Sequence, residues 1–260
     1  MGASMIPNPL SSVTGWILIR IHAEISNVAN PASGITWSLS IVSLTFLARL
    51  LTLPLVLLAN RSSVRLGRIA PQVAEVRRRY RDDKKLLNEK TMKLYQERKV
   101  NPLGGCFPTV VQIPALSSVY VLLYGASLGY AGHGFSSSQA LSLARSRVIG
   151  VPLAASILMS ENDLQALQAV GVAKIIIVCA VLLSATLMFV IVRLRHIRTL
   201  WQGGAWLMAD EKEIRKTSAF QLFVPFLVLG ELGLPFALII YCVAGNLLSV
   251  LQQHLLRQIS

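Results

Sequence analysis

Apolar residues along this chain gather in long blocks rather than short alternating runs, and the blocks have the length a bilayer demands. A helix needs about 20 apolar residues to cross about 30 Å of hydrocarbon. The pattern predicts spans over residues 35–59, 105–129 and 170–192, then a longer apolar stretch over 219–251. As one helix that stretch would measure about 50 Å at about 1.5 Å per residue. Gly230, Glu231, Gly233 and Pro235 supply turn chemistry in its middle, so it divides into helices over 219–231 and 235–253. The fourth helix is then only about 20 Å long, a mismatch met either by local thinning of the bilayer or by a re-entrant or shielded helix whose ends are buried in protein. On the third span, Lys174 lies near enough to one end to snorkel, and Ile177 is placed toward lipid.

Two further patterns are amphipathic rather than uniformly apolar. In residues 13–30, Trp16, Ile17, Ile21 and Ile25 oppose Arg20, His22 and Glu24. The apolar run is too short to span, which predicts an interfacial helix within an outer segment, 1–34. Between the first two spans, Leu66, Ile69, Val73, Val76 and Tyr80 recur at three to four residues, Arg81-Asp82-Asp83 interrupts them, and Leu87, Leu94 and Tyr95 resume the pattern. The segment 60–101 is therefore read as two antiparallel helices, with a mobile tip over 81–90. The outer segment 130–169 carries a flexible loop at 132–138.

Charge orients this arrangement. Of the 260 residues, 53% are hydrophobic and only 14% charged, whereas soluble domains carry about 25% charged residues. An ordinary soluble domain is excluded. The net charge is +13, and 13 of the 25 Lys and Arg residues lie between Arg61 and Lys99. Basic loops stay cytoplasmic, so 60–101, 193–218 and the tail 254–260 are placed inside, with the N-terminus and 130–169 outside. The apolar run Val148–Met159 is not counted as a span, because counting it would put the two basic loops on opposite faces. The N-terminus lacks a basic region ahead of an apolar one, so the first membrane segment is expected to be retained.

Polar residues inside the spans carry the candidate chemistry. Arg49 lies about 16 Å from the basic end of its helix, near the bilayer centre, where a charge costs about 2.5–3.5 kcal/mol. Ser38, Thr45, Arg49 and Thr52 share one helical face. Cys242, Asn246, Ser249 and Gln253 form a second stripe, and Thr109 with Gln112 a third. One reading is a hydrated cavity with a charged wall; the other is interhelical hydrogen bonding, with the arginine held by backbone carbonyls or an ion pair. Glu231 is the one carboxylate in the spans, and the topology places it near the outer turn. The hairpin cations, among them Arg77, Arg78, Arg79, Arg81, Lys84 and Lys85, serve topogenesis and attraction to anionic lipid at about 1 kcal/mol each, or a docking surface for ribosomal RNA or a nascent chain. Nucleotide-binding, zinc-protease and serine-hydrolase motifs are absent from the sequence, the histidines are scattered and the three cysteines lie far apart. No cofactor, metal or enzymatic activity is expected.

The run Asn101-Pro-Leu-Gly-Gly-Cys106-Phe-Pro108-Thr-Val-Val-Gln112-Ile-Pro114 resembles the signature of the YidC/Oxa/Alb family of membrane-protein insertases. The order around it agrees: Phe46-Leu-Ala-Arg49-Leu-Leu-Thr-Leu-Pro54, the basic hairpin, this motif, then Pro225, Tyr241, Gly245-Asn246 and Gln252. The resemblance implies an all-α polytopic membrane protein with five transmembrane helices around a hydrophilic groove, a cytoplasmic helical hairpin and an N-terminal interfacial helix. It makes Arg49 and Gln112 groove residues and Asn246 a last-helix position, and it implies a bacterial plasma membrane. Cys242 stands where family members often have Trp. The likeness is to the short form, without a large outer domain or a long basic tail.

The combined expectation is a nucleotide-independent insertase and chaperone. Its groove set is Arg49, Thr45, Thr52, Gln112, Thr109, Asn246, Cys242 and Ser249. Its partners are nascent membrane proteins and lipids, with the ribosome and a Sec-type translocon as further candidates and RNA met only through the ribosome. The alternatives are a small channel or anion transporter with an arginine-lined path, and a scaffold that packs other membrane proteins.

Overall fold

A computed structural model describes residues 9–101, 107–168, 171–203 and 230–259. The expected fourth span as far as residue 229, the motif residues 102–106 and the stretch 204–218 lie outside the described residues. In chain order the elements are α1 (Pro9–Ser26), α2 (Gly34–Arg79), α3 (Lys84–Glu97), α4 (Phe107–Ser127), α5 (Ser137–Arg145), β1 (Arg147–Val148), β2 (Val151–Pro152), α6 (Glu161–Ala166), α7 (Ala173–Gly203) and α8 (Phe236–Ile259). Three described helices are long and apolar enough to cross a bilayer: α2, the part of α7 over Ala173–Leu194 and the part of α8 over Phe236–Leu255. The protein is mostly helical and integral to a membrane.

The first span and the first arm of the hairpin are one helix. α2 has 46 residues, about 69 Å at about 1.5 Å per residue, so more than half its length exceeds the hydrocarbon. The Ser33 side chain accepts the Ile35 N–H at 3.3 Å at its start, and Arg77, Arg78 and Arg79 occupy its last turn, where cations suit the carbonyl end of the dipole. Pro54 and Pro71 lie within it; each removes one backbone donor from the ladder. The return arm begins where the sequence pattern breaks, because Asp83 caps α3 by accepting the N–H groups of Lys85 and Leu86, both at 3.0 Å.

Buried apolar residues concentrate at one end of the bundle. Trp37, Ile41 and Leu44 of α2, Leu122 and Leu123 of α4, Ile177 and Val181 of α7 and Phe236 to Ile239 of α8 join Leu18 of α1 and Phe135, Leu143 and Leu153 of the outer segment in one core. The expectation for Ile177 is corrected here: it is 0% exposed, while Ile175, at 63%, and Leu182, at 58%, face outward. The α7 face that packs against α2 and α8 simply includes residue 177. A second, smaller cluster of Ile69, Val73 and Val100 with Leu66, Leu94 and Tyr95 holds the hairpin together below its tip.

The segment expected to lie outside is a built cap and not wholly helical. Residues 147–152 form a β-hairpin, Arg147 opposite Pro152 and Val148 opposite Val151, and Gly132 bridges Phe135 within the expected loop. No helix forms over Val148–Met159. The first N–H groups of α8 have no intrahelical acceptor, and the cap supplies two: Phe236 donates to the Ala155 carbonyl at 2.8 Å and Ala237 to Leu153 at 2.9 Å. α1 and α2 press against this cap so closely that a Cβ at Gly15 would sit 1.8 Å from the His133 carbonyl oxygen, and one at Gly34 2.0 Å from that of Arg147. Lys174 meets Glu161 in an ion pair.

The face of α1 that is buried consists of Ser11, Gly15, Leu18 and His22, whereas Trp16 is 59% exposed with Arg20 stacked over its ring. His22 stacks on Trp37 at 3.6 Å between centroids, and Trp37 on Phe135 at 5.8 Å. Burial pushes the His22 imidazole below its ordinary pKa, against a smaller upward pull from the Pro31 carbonyl.

Candidate functional site

Below the apolar core, five residues past Leu44, the bundle carries a polar layer. Arg49 Nη2 donates to the carbonyl oxygen of Gly245 at 3.1 Å, joining α2 to α8 across most of the chain. Thr45 packs at the same place: a Cβ at Gly245 would stand in ordinary contact with both groups, 3.5 Å from the guanidinium and 3.8 Å from the Thr45 methyl. The same carbonyl accepts the Ser249 hydroxyl at 2.8 Å. Arg49 is half-buried, and its charge reaches Tyr241.

The layer continues from α8 to α7. The Asn246 amide donates to the Ser184 hydroxyl at 3.0 Å and carbonyl at 3.3 Å. Ser184 in turn donates to Glu231 Oε1 at 3.0 Å. The carboxylate that the topology put near the outer turn thus reaches a serine 11 residues into α7, about 16 Å along its axis. Glu231 Oε2 is buried and has no hydrogen-bond partner among the described residues.

The other members of the sequence stripes divide by where their hydrogen bonds go. Thr45, 2% exposed, donates to the Ile41 carbonyl at 2.7 Å, and Thr52 to those of Ala48 and Arg49. These hydroxyls are satisfied by their own helix. Cys242 is half-buried. Gln112 is exposed on α4 with Ile113 and Leu116, and the Thr109 side chain lies outside the described residues. Arg49, Asn246, Ser249 and Thr45 come together, while no described contact brings Gln112 to them. Sequence reasoning missed Ser184 because a single hydroxyl in an apolar run shows no periodicity.

At the far end of α2 the hairpin cations Arg77, Arg78, Arg79, Arg81, Lys84 and Lys85 are all exposed, and α3 buries no residue. The hairpin therefore presents these charges at and beside its tip.

Residues 28–260 match the family model described as 60Kd inner membrane protein. The chain belongs to this family. The match agrees with the YidC/Oxa/Alb resemblance carried by residues 101–114. Among relatives, the "Membrane protein insertase YidC" of Streptomyces avermitilis is 32% identical over 70% of this chain and 42% of its own length. Proteins of the same name from Dechloromonas aromatica and Francisella philomiragia are 39% and 35% identical over 43% and 44% of this chain, each match covering 19% of the relative. The chain spans less than half the length of these family members.

Proposed function

We propose that this chain is a membrane-protein insertase and chaperone of the bacterial plasma membrane, acting without nucleotide, alone or beside a Sec-type translocon. The observation that carries the reading is Arg49, a half-buried cation midway along a membrane span that donates to the Gly245 backbone carbonyl of α8, in a chain belonging to an insertase-containing family. In this reading five helices, the fourth over 219–231, surround a hydrophilic groove lined by Arg49, Thr45, Thr52, Thr109, Gln112, Cys242, Asn246 and Ser249. The N-terminus is outside and the basic hairpin and C-terminus are cytoplasmic. Arg77 to Arg79, Arg81, Lys84 and Lys85 meet nascent membrane proteins or the ribosome, with RNA contacted only through the ribosome, and lipids bathe the bundle.

The mechanism follows from energies of opposite sign. Each carboxylate of a client's outer tail costs about 2.5–3.5 kcal/mol at the bilayer centre, while each large aliphatic residue of its helix gains about 0.3–0.6 kcal/mol on entry. The tail ends in water, so its carboxylates weigh on the transit alone while the buried helix makes the end state favourable without fuel; the difficulty is kinetic, because the tail crosses before the helix is buried. A guanidinium held in the path lowers that barrier by attracting the carboxylates in a low-dielectric setting. The apolar core and cap at the outer end of the bundle are consistent with a site entered from the cytoplasmic side.

The test is reconstitution of the pure protein in liposomes with a short client bearing an acidic outer tail, scored by protease protection. Arg49→Lys is expected to retain most insertion and Arg49→Ala to lose about tenfold or more, the equivalent of about 1.4 kcal/mol. Equal activity of the alanine variant on acidic clients refutes the role of Arg49. Anion flux without any client would instead favour a transporter.

A further inference from the structure

Where α2 leaves the membrane it forms one wall of a cavity of about 250 Å³ lined by Leu58, Arg61, Ser62 and Arg65 and closed by Lys99 to Asn101. We infer that this cavity is a binding site for the phosphate of an anionic glycerophospholipid; the inference rests on the membrane-embedded reading of α2.

Three observations carry it. The first is depth. Counting from Arg49 near the bilayer centre, Arg61 and Arg65 lie 12 and 16 residues along the helix, about 18 and 24 Å at about 1.5 Å per residue. The hydrocarbon ends about 15 Å from the centre and the headgroup layer about 20–22 Å from it, so the two guanidinium groups bracket lipid phosphate. The second is the approach. Leu51, Leu58 and Arg65 are spaced by sevens and share one face of α2, and the two leucines are 68% and 60% exposed. An apolar track thus runs down the helix into the basic pocket, as a lipid with its acyl chain above its phosphate requires and a free phosphate does not.

The third is construction. The Ser62 hydroxyl donates to the Asn101 carbonyl at 3.2 Å, tying the closing segment to α2. Lys99 adopts a left-handed backbone with φ of 50° just past the Arg98 cap of α3, where helices commonly end in this way. It is held there because Lys99 N–H donates to Gln96, Val100 N–H donates to Tyr95, and Val100 is buried, 8% exposed, in the hairpin cluster. Lys99 thereby lines the same cavity as Arg61 and Arg65. No carboxylate pairs with Arg61, Arg65 or Lys99 among the described residues, so three like charges share one cavity without internal compensation, and a phosphate diester supplies it. Guanidinium groups suit such an oxyanion through paired N–H donors.

Native mass spectrometry of the full chain, extracted from equimolar phosphatidylcholine and phosphatidylglycerol bilayers, tests the site without any client or insertion step. The parent is expected to retain phosphatidylglycerol selectively. Arg65→Gln/Lys99→Gln is expected to weaken retention about fivefold for each charge removed, whereas Lys90→Gln/Lys93→Gln, an equal loss of charge elsewhere on the hairpin, leaves it within twofold of the parent, a margin well inside that change. Arg61→Lys/Arg65→Lys keeps the charge and guards against misfolding; its retention is expected between the parent and the glutamine pair. Equal loss in both glutamine pairs, or no loss in either, overturns the site. Displacement of the lipid by inorganic phosphate at comparable concentration assigns the pocket to free anions and overturns the lipid assignment.

Discussion

Ser184 joins two groups, Asn246 and Glu231, and removing it should cost more than removing either neighbour's contact. In Asn246→Ala, Ser184 loses a donor to its hydroxyl but keeps its own bond to Glu231 at 3.0 Å. Hydrogen bonds between membrane helices are worth about 0.6 kcal/mol on average and at most about 1.7, so this variant should lose about that much. In Ser184→Ala the amide keeps only its longer contact to the backbone carbonyl, at 3.3 Å, and Glu231 Oε1 loses its donor while Oε2 already lacks one. Stranding a buried acceptor adds about 1–3 kcal/mol, giving a total near 2–4 kcal/mol. Glu231→Gln keeps an oxygen for the serine hydroxyl and removes the charge, and is expected to be neutral or stabilising. A double-mutant cycle over Ser184 and Asn246, with reversible unfolding in lipid bicelles, measures the coupling; about 0.6–1.7 kcal/mol corresponds to a threefold to eighteenfold change in the unfolding constant. Zero coupling, or a Ser184→Ala cost no greater than that of Asn246→Ala, refutes the relay and leaves the Asn246 amide free to meet a client.

Three further outcomes are expected. Gly15→Ala and Gly34→Ala, which place a methyl 1.8 and 2.0 Å from backbone oxygens, should each cost about 1–3 kcal/mol or more by overpacking and lower the thermal midpoint; Gly230→Ala, with nothing within 4 Å, should not. Because burial holds the His22 pKa below its ordinary value, the unfolded chain binds more protons as pH falls below about 6.5. Stability should therefore decline from there down to the folded pKa and level off below it, as read by thermal unfolding, with His22→Phe flattening the profile. Single cysteines in a cysteine-free chain at Ser136 and Asn162 should react with an impermeant thiol reagent added outside, and one at Asp83 should not; labelling at 83 from outside overturns the topology.

Much of this molecule is local enough to be read from the chain. The blocks at 35–59, 105–129 and 170–192 find their counterparts in helices α2, α4 and α7, because apolar composition over about 20 residues is a property of the segment itself. The Asp82-Asp83 break is legible for the same reason: an aspartate ahead of an apolar-periodic run caps a helix with its own side chain. The cost of Arg49 was evident too, since a charge near the bilayer centre demands a partner wherever that partner lies. Which partner answers is a different matter. Gly245 lies 196 residues away and contributes a backbone carbonyl, a group every residue carries, so no residue type could mark it in advance. Ser184 and Glu231 meet only because α7 and the turn before α8 are packed together, and Ile177 is buried because that packing chose which face of an all-apolar helix turns inward. The β-hairpin at 147–152 has strands too short to show a period, and the acceptors just beyond it, Leu153 and Ala155, meet the first N–H groups of α8 only in the folded bundle. Local patterns determined where helices run and what they must compensate; only the tertiary contacts decided which groups, distant along the chain, do the compensating.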